Sequence, residues 1–265
     1  MIKVIVASHK EYRMPEEPMY LPLQVGAEGK ESIGYTRDDT GDNISSKNST
    51  YCELTGMYYA WKNVDADFLG LVHYRRHFAG SSLPFSKDPF DRILTETEAT
   101  EHLRDFDIIV PSKRRYFIES LYSHYDHTLD GKHLRVAYRI IAKYFPEYIG
   151  CCNRVYRRTW GYMFNMMITS RELFAEYCEW LFFILSKMEN VMDKTAENSS
   201  YTDFEKRLYG RVSEILFNVW IDYKVRKGLT IKELKCIHME SVNWAKKGTA
   251  FLEAKFLGKK YEESF

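Results

Sequence analysis

Apolar and polar positions along this chain switch repeatedly between a period of two and a period near 3.6. Residues 2–7 (IKVIVA) are a short β-branched run that predicts a buried first strand. The following forty residues carry Pro15, Pro18, Pro22, Gly26, Gly29 and Gly34, so a long loop is expected, with a turn of helix near 21–25. Thr50 and Glu53 have capping-box spacing ahead of a helix that would set Leu54, Met57, Tyr58 and Trp61 on one face. Residues 67–73 (DFLGLVH) and 107–111 (DIIVP) predict two further strands, and Thr95 with Glu98 caps a short helix between them. A helix over 130–144 closes at Pro146, 160–169 (WGYMFNMMIT) reads as a strand, and 170–188 reads as a long helix. After a polar stretch over 190–200, Thr202 and Glu205 cap a last helix running to about Arg226. Strands alternating with helices predict an α/β fold with its helices gathered toward the C-terminal half.

Composition narrows the function classes. With 45% apolar and 15% aromatic residues the chain can build a sizeable core. A formal charge of +1 does not suggest a chain covered in basic surface, so no nucleic-acid partner is expected. Cys52, Cys151, Cys152, Cys178 and Cys236 are odd in number without CxxC spacing, which argues against a disulfide scaffold or a zinc site and suits a reducing cytoplasm. Neither a leader nor a membrane span is expected, because the longest apolar run, residues 180–185, is far too short. The segment 245–265 mixes Lys with Phe and Leu, which suits either a docked helix or a membrane surface.

Candidate chemistry concentrates between Asp38 and Phe78. The strand over 67–73 discharges into His73, Tyr74, Arg75, Arg76 and His77. Strand ends of this kind form ligand sites in open α/β sheets, and paired guanidinium groups match phosphate oxygens bidentately. The competing reading pairs both arginines with structural carboxylates. The loop before the helix holds Asp38, Asp39, Asp42, Asn43, Ser45, Lys47 and Asn48, which suit either turns and caps or recognition of sugar and phosphate. Asp65 and Asp67 form a DxD pair on the wrong side of the strand for a metal and read as a solvated turn. His124 and His127 share one helical face; without a third ligand, acid–base work suits one of them better than metal. Asn165 is an amide in an apolar run and needs a partner, from a loop or a ligand. Arg211 and Glu214 are either a surface pair or a carboxylate aimed into a cleft. Walker, GxGxxG, HExxH and GxSxG motifs are missing.

VIVASHK, DNISSKNSTYCELTGMYYAWKN, FLGLVHYRRHF, SLYSHYDH, YFPEY, the FNMMI run and RVSEILFNVWI occur in an order that resembles a bacterial family of capsular and exopolysaccharide biosynthesis proteins. That family was long labelled a domain of unknown function and is grouped with GT-A-type glycosyltransferases. The resemblance implies a single GT-A-like domain over 1–265: a Rossmann-type mixed sheet flanked by helices, with a helical C-terminal portion. Residues 1–115 would form the nucleotide-sugar half and 116–265 the acceptor side. It further implies sugar transfer from a nucleotide donor, taken as UDP-linked, to a glycan or lipid-linked acceptor, in the cytoplasm or at the inner membrane face. Donor contacts are expected from Ser8, His9, Asp42, Asn43, Lys47, Asn48, His73, Tyr74, Arg75, Arg76 and Asn165. Arg75 and Arg76 would stabilise the leaving diphosphate where relatives carry a metal-binding DxD, so no metal or other cofactor is expected. Glu214 or His127 would be the base of an inverting reaction. The alternative is a non-catalytic nucleotide- or glycan-binding accessory protein of polysaccharide assembly.

Overall fold

A computed structural model describes residues 1–192 and 202–240, the side chains of Asp203 and Phe204 aside. The predicted first strand is β1 (Ile2–Ser8), which pairs in parallel with β2 (Tyr20–Gln24) on one side and β4 (Phe68–His73) on the other. β3 (Thr36–Arg37) extends the β2 edge. The turn of helix expected near 21–25 is therefore strand: Leu23 and Gln24 are buried, and Val4 to Ser8 supply a parallel ladder for Tyr20 to Gln24.

Beyond β4 the chain makes a two-residue turn into β5 (Arg76–Phe78), with His73 opposite Arg76. β6 (Ile108–Pro111) follows the capped helix α3 (Glu96–Asp105), where Thr95 and Glu98 form the predicted capping box.

 Ahead of it in the chain lie α1 (Asn48–Tyr51) and α2 (Leu54–Asn63), which turns Leu54, Met57 and Ala60 inward and rests Tyr58 and Trp61 against Phe182. The capping box expected from Thr50 and Glu53 does not form. Thr50 Oγ1 instead donates to the Lys47 carbonyl, and Cys52, at φ +55°, separates the two helices.

The strand expected over 160–169 is also divided. β7 (Arg114–Arg115) pairs with β8 (Trp160–Gly161) as a small separate ribbon, and β9 (Met167–Ser170) enters the main sheet antiparallel between β4 and β6. Between β8 and β9 the backbone reverses through Phe164 (φ +74°) and Asn165 (φ +53°). β10 (Ile231–Leu234) and β11 (Cys236–His238) complete the sheet beside β6 and β5, and the sequence pattern had not suggested either strand. The main order is β10-β6-β9-β4-β1-β2-β3, mostly parallel.

The C-terminal half is helical as expected. α4 (Leu121–Thr128) and α5 (Gly131–Tyr144) precede α6 (Ile149–Arg157); α5 begins at its cap Asp130. α7 (Arg171–Met192) buries Phe174, Tyr177, Cys178, Leu181, Ile184, Leu185 and Met188 at helical spacing. Short α8 (Asp203–Lys206) leads into α9 (Leu208–Arg226), whose Phe217 and Trp220 rings pack on Tyr177. Asp222 gathers Arg154, Arg158 and Arg226, which ties α9 to α6 and to the residue after it. No described helix is long and apolar enough to cross a membrane. The segment 245–265, considered for a membrane surface, lies outside the described residues, as does 193–200 of the polar stretch.

Candidate active site

β1 and β4 are neighbours and parallel, so both deliver their C-terminal ends to the same edge of the sheet. A cleft of about 400 Å³ opens there. Ala7 and His9 enter it from β1, and His73, Tyr74, Arg75 and Arg76 from the turn after β4. Asn48, Ser49, Cys52 and Glu53 form another part of its wall, and Phe164 lies between β8 and β9. Arg207, Arg211 and Glu214 come from the start of α9, spaced so that one helical face presents all three. This is the edge at which open α/β sheets bind ligands.

The wall is strongly cationic. Arg75 is paired with Glu240 at 3.5 Å, and the Arg76 guanidinium lies 4.6 Å from the centre of the Phe164 ring. Arg207 Nε donates to Cys52 Sγ at 3.2 Å. His73 Nε2 donates to the Phe164 carbonyl at 2.7 Å, and burial lowers the pKa of its imidazole, so the neutral ring is favoured. Burial likewise lowers His9, helped by Lys10 and Arg75. The Glu214 carboxyl is pushed up by burial, against the pull of Arg211. A carboxylate raised this way is a better proton acceptor than one in open water.

Glu53 comes from the sequence position assigned to capping. Its Oε1 instead accepts from Asn165 Nδ2 at 2.8 Å. The left-handed backbone at Cys52, Phe164 and Asn165 costs on the order of 1–3 kcal/mol per residue. All three lie at or beside the cleft, where that conformation presents the Phe164 carbonyl to His73 and the Asn165 amide to Glu53.

Several expected site residues are employed elsewhere. Ser8 is buried and its Oγ donates to the Lys10 carbonyl. Asp42 accepts from the Tyr58 hydroxyl, Asn43 bonds Gly41 and Ser45, and Lys47 pairs with Glu189, all off the cleft wall. Asn48 is in the wall, yet its Nδ2 donates to the Cys52 carbonyl and Thr55 Oγ1. Asp38 is buried and accepts from the Gly26 and Ala27 amides and the Ser45 hydroxyl. These side chains hold the loop in shape, which is the turn-and-cap reading of that stretch. Asn165 is fully buried behind Glu53 and does not line the cleft.

His124 and His127 do share a helical face, but both donate Nδ1–H to the buried carboxylate of Glu119, at 2.9 and 2.8 Å. Burial pushes His124 down to about 4, although the Glu119 bond opposes it. His124 lines a smaller cavity of about 60 Å³, whose wall also contains Tyr116, Arg211 and Glu214. His127 lines neither cavity. Asp65 and Asp67 are solvated, bound to Arg171 and to the N-terminal amine.

Glu53, Glu119 and Arg207 were not singled out from the sequence as site residues. The Arg207, Arg211 and Glu214 spacing was the one legible signal among them, since it puts three charged groups on one face of an otherwise apolar helix. Guanidinium groups cannot ligate a cation. Among the described residues no three His, Cys, Asp or Glu side chains gather as a metal set.

A family model described as a domain of unknown function, DUF4422, matches residues 3–225. No curated protein sequence matches the chain. Among solved structures, the apo structure of the bifunctional glycosyltransferase WbbM is 32% identical with a TM-score of 0.81. The match covers 91% of this chain and 45% of that one, so this chain spans about half the length of WbbM. The expected fold, a GT-A-like mixed sheet flanked by helices, is the fold observed.

Proposed function

We propose, from the premise that this chain belongs to the family of unknown function DUF4422, that it is a glycosyltransferase. It moves a sugar from a nucleotide diphosphate, UDP by preference, to a growing glycan or lipid-linked acceptor of polysaccharide assembly in the cytoplasm. The observation that carries this reading is the cleft's two arginine pairs. Arg75 and Arg76 lie at the end of β4, and Arg207 and Arg211 at the start of α9. Paired guanidinium groups on two elements suit a diphosphate, whose charge grows as it departs. The likeness to a glycosyltransferase structure supports the same reading.

In the proposed reaction an acceptor hydroxyl oxygen bonds to the anomeric carbon. The bond from that carbon to the diphosphate oxygen breaks, and its electron pair leaves with the diphosphate. The hydroxyl proton passes to Glu214. Glu214 is favoured over His127 because it lines both cavities and its carboxyl is raised by burial, whereas His127 lines neither. Inversion at the anomeric carbon follows from a base acting on the face opposite the leaving group.

Thermal denaturation with uridine, guanosine and cytidine diphosphates and their hexose conjugates tests the reading. A ligand at a hundred times its Kd should add about 2.7 kcal/mol of stability. No shift with any of them would sink it. Slow donor hydrolysis without acceptor separates the enzyme from a non-catalytic binding protein, which would show none.

A further inference from the structure

Glu53 is an acidic group in a cleft otherwise suited to an anion. The loop that carries it is seated on α9: the Cys52 side chain approaches Gly210 so closely that a Cβ there would lie 3.1 Å from Cys52 Sγ. Asn165 Nδ2 bonds Glu53 Oε1 at 2.8 Å and the Gly210 carbonyl at 3.4 Å. Asn165 is fully buried, and its Oδ1 has no hydrogen-bond partner among the described residues. Its φ of +53° adds strain to that cost. A buried, strained amide is thus committed to one carboxylate, and it ties that carboxylate to Gly210, which lies one turn before Glu214 on α9.

A carboxylate only accepts hydrogen bonds and repels phosphate. Four arginines already serve the anion, so Glu53 suits a neutral donor group beside the reacting carbon. We propose that Glu53 accepts a hydrogen bond from a hydroxyl of the sugar being transferred, and that Asn165 is the residue that positions it. This rests on the glycosyltransferase reading and adds a determinant of sugar recognition to it.

Calorimetric titration of the full chain with each nucleoside diphosphate and with its hexose conjugate tests the assignment. In Glu53→Gln the diphosphate should bind as well as before or more tightly, while the conjugate weakens about tenfold, as loss of a charge-assisted hydrogen bond requires. Asn165→Gly accepts the left-handed backbone and removes only the amide, so the same ratio of the two affinities should shift in the same direction. Wild type that binds both ligands, with variants that change both affinities equally or neither, overturns the role of Glu53 and leaves the transferase reading standing. Equal weakening with a lowered Tm would assign the pair to structure and also overturn it. Wild type that binds no diphosphate or conjugate overturns both readings.

Discussion

Glu214 stands one helical turn beyond Arg211 on α9, and both side chains line the main cleft and the smaller cavity. An acid in that shared wall faces both spaces, which the proposed reaction assigns to donor and acceptor. Its carboxyl is raised by burial, with Arg211 opposing.

Glu214→Gln should therefore lower kcat by about 10²- to 10⁴-fold while leaving diphosphate affinity nearly unchanged. A raised carboxyl also has a stability consequence. Above its ordinary value, the folded state holds a proton that the unfolded state has released, so stability falls as pH rises through that window. The variant should then be more stable than wild type at pH 7, with the gain disappearing in acid. Equal Tm at pH 7 together with unimpaired turnover would remove Glu214 from the reaction.

The arginines make a different prediction. Arg76→Ala and Arg207→Ala should each weaken diphosphate binding roughly tenfold or more, by loss of charge-assisted hydrogen bonds. Arg76→Lys should recover only part of the loss, because lysine lacks the planar fork and the stacking on Phe164 seen at 4.6 Å. Titration at two salt concentrations checks this; affinity equal to wild type in both alanine variants would refute the clamp.

The same residues mark what could be read from sequence. β1, β4, β6, α5 and α7 were legible because each buries a run or a stripe with an unambiguous period. The arginines at the β4 end were legible because they interrupt such a run. Glu53 was not: three residues after Thr50 it matches a cap, and only Cys52 at φ +55° and the distant Asn165 redirect it. Asn165 was noticed as an amide needing a partner, but its role is set by a backbone reversal inside a run that reads as one strand. Asp42, Asn43 and Lys47 have the composition of a ligand loop and the contacts of a self-supporting one. Composition cannot distinguish these, because the same hydrogen-bond donors and acceptors serve both.

Two histidines make the fold acid-sensitive. His77 is fully buried against the Tyr20 ring, and burial together with His73 pushes its imidazole down to about 4. His124 is pushed to about 4 by burial. Below the ordinary value of 6.5 the unfolded chain takes up protons that the folded chain refuses, so stability falls as pH drops from 6.5 toward 4. Each histidine contributes a slope of at most about 1.4 kcal/mol per pH unit. His77→Phe, which keeps an aromatic ring beside Tyr20, should flatten the difference in Tm between pH 7 and pH 4.5. Parallel curves for variant and wild type would show that His77 is not held neutral.

Arginine at the end of β4 makes chelation a sharp test. Guanidinium groups neutralise a diphosphate by donating hydrogen bonds and carry no lone pair for a cation. Arg75 and Arg76 lie on one wall and Arg207 and Arg211 on another, and the proposed reaction has these arginines supply the charge that a divalent ion would otherwise bring. Diphosphate affinity and sugar transfer should therefore be unchanged after dialysis against EDTA, and added Mn²⁺ should not raise either. A tenfold fall on chelation, restored by Mg²⁺ or Mn²⁺, would mean that a metal carries the leaving-group charge and that the arginines only assist it.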